Sequence, residues 1–237
     1  FISDLHLSPA RPQLLQRFAE LLRGQAAGSD GLYILGDLFD AWIGDDDPSP
    51  FAGEVKALLR DFSRGTPLFF QRGNRDFMVG DRFSAETGAV ILEDEHLLET
   101  DGLRVLLMHG DQLCTDDREY QQVRALVRTP AFREQALQKS IEERIALAAE
   151  YRRRSGESQS LKPAEITDVN AWAVDDALDR HEAELLIHGH THRPALHQSM
   201  LNGQRRRRLV LPDWRRERRE AGALLEEGHL EVLTLDC

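Results

Sequence analysis

The order of apolar and polar positions along the chain reads as short strands alternating with amphipathic helices. Brief apolar runs occur at Phe1–Ser3, Leu32–Leu35, Leu68–Gln71, Val90–Leu92, Leu103–Met108 and Leu185–His188. Runs this short, bounded by Gly, Asp, Asn or His, have the pattern of strands buried on both faces. Leu209–Leu211, Gly222–Leu225 and Leu230–Leu235 are further strand candidates. Helical periodicity begins near Pro12, Phe51, Asp81 and Thr167. Such alternation predicts a layered α/β domain, its sheets covered by helices.

One region breaks the rhythm. Between about Arg118 and Ser160 there is no strand signal, and Val123, Leu126 and Val127, then Leu137, Ile141, Ile145 and Ala148, recur at helical spacing. Pro130 separates the two stretches and is expected to break or kink the helix. The region reads as a helical insertion, about 118–160, within a single domain spanning 1–237.

Composition changes this picture only in places. At 237 residues and 41% hydrophobic, the chain is long enough and apolar enough for a buried core. No apolar run approaches the roughly 18 residues that a spanning helix needs. Two distant cysteines, Cys114 and Cys237, point to a reducing compartment rather than a disulfide scaffold. Because the sequence opens inside a strand, a few residues are expected to precede Phe1. The net charge of −11 argues against nucleic acid as a partner. Basic clusters nevertheless stand at Arg152–Arg154, Arg205–Arg208 and Arg215–Arg219. They suit a solvated surface, a phosphate or an anionic lipid face.

The chemistry concentrates where the expected strands end. Five motifs stand there in order: D-L-H at Asp4–His6, G-D at Gly36–Asp37, G-N-R-D at Gly73–Asp76, H-G-D at His109–Asp111 and G-H-T-H at Gly189–His192. Loops at strand C-termini are where α/β folds bind ligands, and glycine lets backbone turn or approach closely there. Each motif alone is weak. Five in series point to one shared metal site. Carboxylate, amide oxygen and imidazole together suit Mn²⁺ or a similar divalent ion.

The series D-x-H, G-D, G-N, H-G-D, G-H-x-H resembles the calcineurin-like metallophosphoesterase superfamily over nearly the whole chain. The resemblance implies an α/β sandwich of two β-sheets flanked by helices, with two metal ions at the strand ends. It implies Asp4, His6, Asp37 and His192 around one ion and Asp37, Asn74, His109 and His190 around the other. Asp37 would bridge the two, and the pair would activate water and neutralise phosphoryl charge. His188 is expected to be a core or supporting histidine. Asp76 and Asp111 are expected to orient ligands or anchor the fold.

Many superfamily members carry His directly after G-N, where this chain has Arg75. Arginine cannot release a proton at neutral pH, but it can clamp a phosphate. A leaving group that needs charge neutralisation, such as a phosphate monoester, points to a pyrophosphate linkage. The strings FISDLHLSP, YILGDLFDAWIGDD, RGNRDFMVGDRFSAETG, LLMHGDQLCTDD and LIHGHTHRP closely resemble a narrower family, the pyrophosphohydrolases that act on UDP-2,3-diacylglucosamine in lipid A synthesis.

That resemblance implies attack at the α-phosphorus, with UMP and 2,3-diacylglucosamine 1-phosphate as products and two Mn²⁺ as cofactors. Asp37, Asn74, Arg75 and His109 would be catalytic. The acylated UDP-sugar would meet Asn74, Arg75, Asp117, Ser155, Gln159, Lys162 and His190, with the 118–160 insertion as a cap over its acyl chains. Gln159 stands where family members often have Asn. Pro212, in LPDWRRERR, replaces an expected Gly, so no catalytic role is assigned to that loop. The expected setting is the cytoplasmic face of the inner membrane, as a peripheral protein on anionic lipid with no obligatory protein partner. The alternatives are another dinuclear-metal phosphodiesterase or pyrophosphatase acting on nucleotide derivatives, and a non-catalytic scaffold of the same superfamily.

Overall fold

Successive side chains along each strand point to opposite faces of the sheet, and that geometry sorts the chain into layers. The computed structural model describes residues 1–163 and 165–235, without the side chains of 154–161 and 201. In order, the elements are α1 (Pro12–Arg23), β1 (Leu32–Leu35), α2 (Pro50–Ser63), β2 (Leu68–Gln71), α3 (Asp81–Thr87), β3 (Val90–Leu92), β4 (His96–Thr100) and β5 (Leu103–Leu107). The insertion follows as α4 (Arg118–Val127), α5 (Pro130–Leu137) and α6 (Ile141–Leu161). The chain closes with α7 (Ala171–Arg180), β6 (Leu185–His188), β7 (Ala195–Leu201), β8 (Gln204–Val210), β9 (Glu220–Glu226) and β10 (His229–Thr234).

Strands β1, β2 and β3 pair in parallel, and a five-stranded sheet runs β4-β5-β6-β8-β7. The β9–β10 pair joins the first sheet through Phe1–Ser3. Ile2 bridges to Ile34, and the Phe1 carbonyl accepts the Ala223 amide at 2.9 Å. Between the sheets lie Leu35, Val105, Leu107, Leu185, Ile187, Leu211 and Ala223. The alternate residues Leu106, Met108 and Leu186 face Val174, Ala177 and Leu178 of α7. On the outer side of the first sheet, Ile34, Leu68 and Phe70 pack on Phe18, Val55, Leu59 and Phe83. The result is a helix–sheet–sheet–helix sandwich. A one-residue slip of β5 would exchange its two apolar faces, so both layers fix its register.

Several boundaries depart from the pattern's expectations. Phe1–Ser3 makes a single bridge rather than a full strand. β8 begins at Gln204, so Arg205–Arg208 belong to a strand; Arg206 is buried and donates to the Ala183 carbonyl at 2.8 Å. α7 begins at Ala171 because the Asn170 side chain caps it, accepting from the Trp172 and Ala173 amides.

In the insertion, the helix breaks at Pro130 as expected: α4 ends at Val127 and Pro130 opens α5. It occupies the first turn of α5, where its missing N–H costs nothing, behind the capping side chain of Thr129. Ser140 and Glu143 form a reciprocal capping box at the head of α6, at 2.8 and 3.2 Å.

The insertion is tied down by arginines. Arg144 of α6 is buried and forks onto Asp46, with both contacts at 2.6 Å, and also donates to the Ile43 carbonyl at 2.9 Å. Arg152 pairs with Asp40. Because Asp46 is half-exposed, solvent screens part of its attraction. Replacing Arg144 with Met is expected to destabilise the protein by about 1–3 kcal/mol in urea unfolding and to speed amide exchange across 141–150. Unchanged exchange there would show that Arg144 does not hold the helix.

Candidate metal centre

Each candidate ligand stands just past a strand end, and the backbone bends sharply to aim it. Asp4, His6, Asp37, His190 and His192 all have positive φ, between 48° and 65°. Non-glycine residues rarely take this left-handed conformation, at a cost of order 1–3 kcal/mol each. The conformation persists here because the surroundings over-determine it. The Asp4 and His6 amides bond the carbonyls of Gly36 and Asp37 at 3.1 and 2.9 Å, and the Trp214 amide bonds the Asp4 carbonyl at 3.0 Å. Beneath the site, the fully buried Asp76 carboxylate accepts from the amides of Asp37, Leu38 and Gly73 at 3.2, 2.8 and 2.8 Å. Gly73 is required where it stands, because a Cβ there would lie 2.1 Å from Asp37 Oδ1.

The side chains converge in two overlapping groups. In the first, Nε2 of His6 and Nε2 of His192 face each other at 3.3 Å, and Asp4 Oδ1 lies 4.0 and 3.3 Å from them. In the second, Asp37 Oδ1 is 3.7 Å from His109 Nε2, and Asn74 Oδ1 is 3.1 Å from His109 Nε2 and 2.9 Å from His190 Nδ1. Asp37 faces both groups, its Oδ2 lying 3.9 Å from His6 Nδ1. Donor atoms of Asp4, His6 and His192 lie within 4.8 Å of one another, as do those of Asp4, Asp37 and His109.

Asp4 Oδ2 accepts from Ser3 and from the His190 amide, but the buried Oδ1 has no hydrogen-bond partner. A buried carboxylate oxygen left without a donor, with two imidazole nitrogens aimed beside it, fits a divalent cation.

The electrostatics show how crowded the charge is. Burial alone would raise Asp4, but His192, His109 and His6 outweigh it and hold the carboxyl well below the usual range. Asp37 is pushed up by burial; His109 pulls it back, and Asp4 adds to the rise. Burial brings His6 down to about 4 and, helped by His109, His190 down to about 3. Asp76 is raised to about 6 by burial and by the neighbouring Asp37.

The centre opens into one cavity through Asn74 and His190, with Asp40, Arg75, Asp111, Asp117 and Lys162 also on its wall. The insertion adds apolar Val123, Val127, Phe132, Ala136, Leu147, Ala148 and Tyr151, with Arg124, Arg128, Arg144 and Arg152 among them. With this geometry in view, the comparisons with known proteins are direct. The family model described as calcineurin-like phosphoesterase matches residues 1–194. The chain belongs to the calcineurin-like phosphoesterases.

Within this family, curated relatives named UDP-2,3-diacylglucosamine hydrolase are nearly half identical. The Stenotrophomonas maltophilia protein is 48% identical over 222 residues, covering 90% of each chain. That of Serratia proteamaculans is 46% identical over 215 residues, again 90% of each. That of Klebsiella pneumoniae is 46% identical over 218 residues, 92% of this chain and 91% of its own.

The fold of this phosphoesterase gathers Asp4, His6, Asp37, Asn74, His109, His190 and His192. Arg75 lines the same cavity, its amide donating to Asp37 Oδ1 at 2.8 Å and its guanidinium biasing Asp37 and His6. Lys162 lies against Asp117 at 2.7 Å and Glu119 at 3.1 Å, so carboxylates already engage the expected phosphate contact. Ser155 and Gln159 fall in α6, where side chains lie outside the described part. His188 is a core residue, its Nδ1 on the Gly189 carbonyl at 2.9 Å and its Nε2 facing Arg208 at 3.2 Å.

Asp111 anchors the insertion. Arg124 of α4, Arg128 at the C-terminal cap of α4 and the Tyr120 hydroxyl meet its carboxylate at 2.8, 3.5 and 3.0 Å. The LPDWRRERR loop, given no catalytic role from sequence because Pro212 replaces an expected Gly, brings Asp213 Oδ2 to 3.7 Å from His192 Nδ1 and the Trp214 amide to 3.0 Å from the Asp4 carbonyl.

Replacing Gly73 with Ala forces Asp37 out of place. Elemental analysis after Mn²⁺ loading and desalting is expected to find less bound cation than in the wild type, with the circular dichroism of the fold retained. Equal cation content would show that the position of Asp37 is not critical.

Proposed function

We propose that this chain hydrolyses the pyrophosphate of UDP-2,3-diacylglucosamine, releasing UMP and 2,3-diacylglucosamine 1-phosphate, with two Mn²⁺ held by Asp4, His6, Asp37, Asn74, His109, His190 and His192. One observation carries the reading: a single cavity joins a candidate metal centre to an apolar chamber built by the insertion. A charged head and acyl chains call for those two environments side by side. The relatives named above are called UDP-2,3-diacylglucosamine hydrolases, which supports the same substrate.

Bound divalent cations would supply an acidified water and charge neutralisation at phosphorus. The rest falls to the chain itself. Arg75 is suited to clamp the departing phosphate, because a guanidinium neutralises charge without giving up a proton. Its backbone is fixed from both sides, its amide on Asp37 and its carbonyl accepting from the Trp42 amide at 3.0 Å. His190 Nδ1 and His109 Nε2 lie 2.9 and 3.1 Å from Asn74 Oδ1, so the three candidate ligand atoms converge on one point. Val123, Val127 and Phe132 would exclude water from the acyl chains. The contrast with a generic nucleotide phosphodiesterase lies in this chamber, which such a substrate would leave unfilled.

No helix of the described residues is long and apolar enough to cross a membrane. We place the protein on the cytoplasmic face of the inner membrane, with exposed arginines such as Arg205 and Arg216 toward anionic lipid. Flotation with vesicles is expected to recover the protein on anionic bilayers, falling as salt rises. Recovery independent of both charge and salt would reject this placement.

Turnover of UDP-2,3-diacylglucosamine with Mn²⁺ in ¹⁸O-labelled water is expected to place the label in UMP, to stop on chelation, and to exceed turnover of the deacylated UDP-sugar. Label in the sugar phosphate would overturn attack at the α-phosphorus. Equal turnover of both sugars would overturn the role of the chamber.

A further inference from the structure

We infer that Asp213 is a positioning residue for His192, holding that imidazole so that Nε2 faces the metal centre. The inference rests on the metal-site reading above. Nε2 of His192 points inward, 3.3 Å from both Asp4 Oδ1 and His6 Nε2. The opposite nitrogen, Nδ1, faces Asp213 Oδ2 at 3.7 Å. A ligating imidazole needs its lone pair on the inner nitrogen, hence its proton on the outer one, and a carboxylate at that outer nitrogen favours this tautomer.

His109 shows the same logic with a different acceptor. Its Nδ1 meets the Leu35 carbonyl at 2.8 Å while Nε2 turns to the centre. His109 is buried on all sides, whereas the His192 side chain is 34% exposed. Packing alone therefore fixes the His192 ring poorly, and an orienting partner has more to contribute.

Asp213 is itself built to stay still. It is buried, with Oδ2 on Arg215 Nε at 2.5 Å and Oδ1 on Arg218 Nη1 at 2.6 Å. Two guanidinium groups hold the carboxylate in place beside the ring. The neighbouring Trp214 is buried and locks the loop to the site. Its amide donates to the Asp4 carbonyl at 3.0 Å and its indole N–H to the Ala221 carbonyl at 2.8 Å. One dipeptide thus fixes the backbone of one ligand and faces the ring of another.

The test has two independent readings. In wild-type protein loaded with diamagnetic Mg²⁺ and labelled with ¹⁵N-histidine, at a pH well above the imidazole range, His192 is expected to carry its proton on Nδ1. A proton on Nε2 would overturn the inference. In calorimetric titration with Mn²⁺, Asp213→Asn is expected to weaken uptake about 10- to 100-fold and to mix the His192 tautomers, with Asp213→Glu partly restoring both. Uptake by Asp213→Asn as tight as that of wild type would overturn the inference alone. Wild-type protein that binds no Mn²⁺ would overturn the metal-site reading and this one with it.

Discussion

Negative charge that cannot be left alone governs this structure. Asp4, Asp37, Asp76 and Asp111 are all buried around one centre. An ionised carboxylate removed from water is costly unless something compensates it. Asp76 is compensated by backbone amides alone, which makes it a joint between two loops. Asp111 is compensated by two guanidinium groups from the insertion. Asp4 and Asp37 receive imidazoles, and Asp4 keeps one oxygen that no donor reaches. That remaining imbalance is what a cation would correct, so the candidate site and the stability of its surroundings are one electrostatic problem.

The insertion takes part in the same problem. Arg128, capping the end of α4, meets Asp111 and also donates to the Gly73 carbonyl at 3.1 Å, directly before Asn74. Arg124 spans Asp111 and Asp94. The helices that wall the cavity therefore brace the loop that carries Asn74, and movement of α4 would be felt at the centre. Tyr120 reinforces this link, bonding Asp111 while its ring lies 5.7 Å from that of His190.

Much of this was legible in the sequence for a simple reason. β1, β2 and β6 are buried parallel strands that read as uninterrupted apolar runs, and ligand motifs mark their ends. β4 and β7 were not legible because they are edge strands. β7 is exposed along Ala195–Met200, so no burial pattern was imposed on it. Pro130 was legible as a break because proline disrupts helices, and α4 does end before it; that Pro130 also opens α5 follows from the cap Thr129. The left-handed backbone at Asp4, His6 and Asp37 had no glycine to announce it. Asp213 was missed because its partner His192 is near only in space.

The chamber wall raises a final question of why helices with so little core to pack on keep their shape. Val123 and Val127 of α4 line the cavity, while Leu126 of α4, Leu137 of α5 and Ile145 of α6 are exposed, so burial contributes less here than in α1 or α2. At 10 and 8 residues, α4 and α5 are marginal on propensity alone. Each helix of the insertion instead begins with its own cap, Asp117, Thr129 and Ser140 in turn, a device worth about 0.5–2 kcal/mol apiece. Asp117 also takes Lys162 from beyond the far end of α6, drawing both ends of the insertion together beside the cavity. Local capping and ion pairs thus supply order that a core would otherwise provide. Apolar side chains freed from the core can then line a chamber, where a fatty substrate would complete the burial that the fold leaves unfinished.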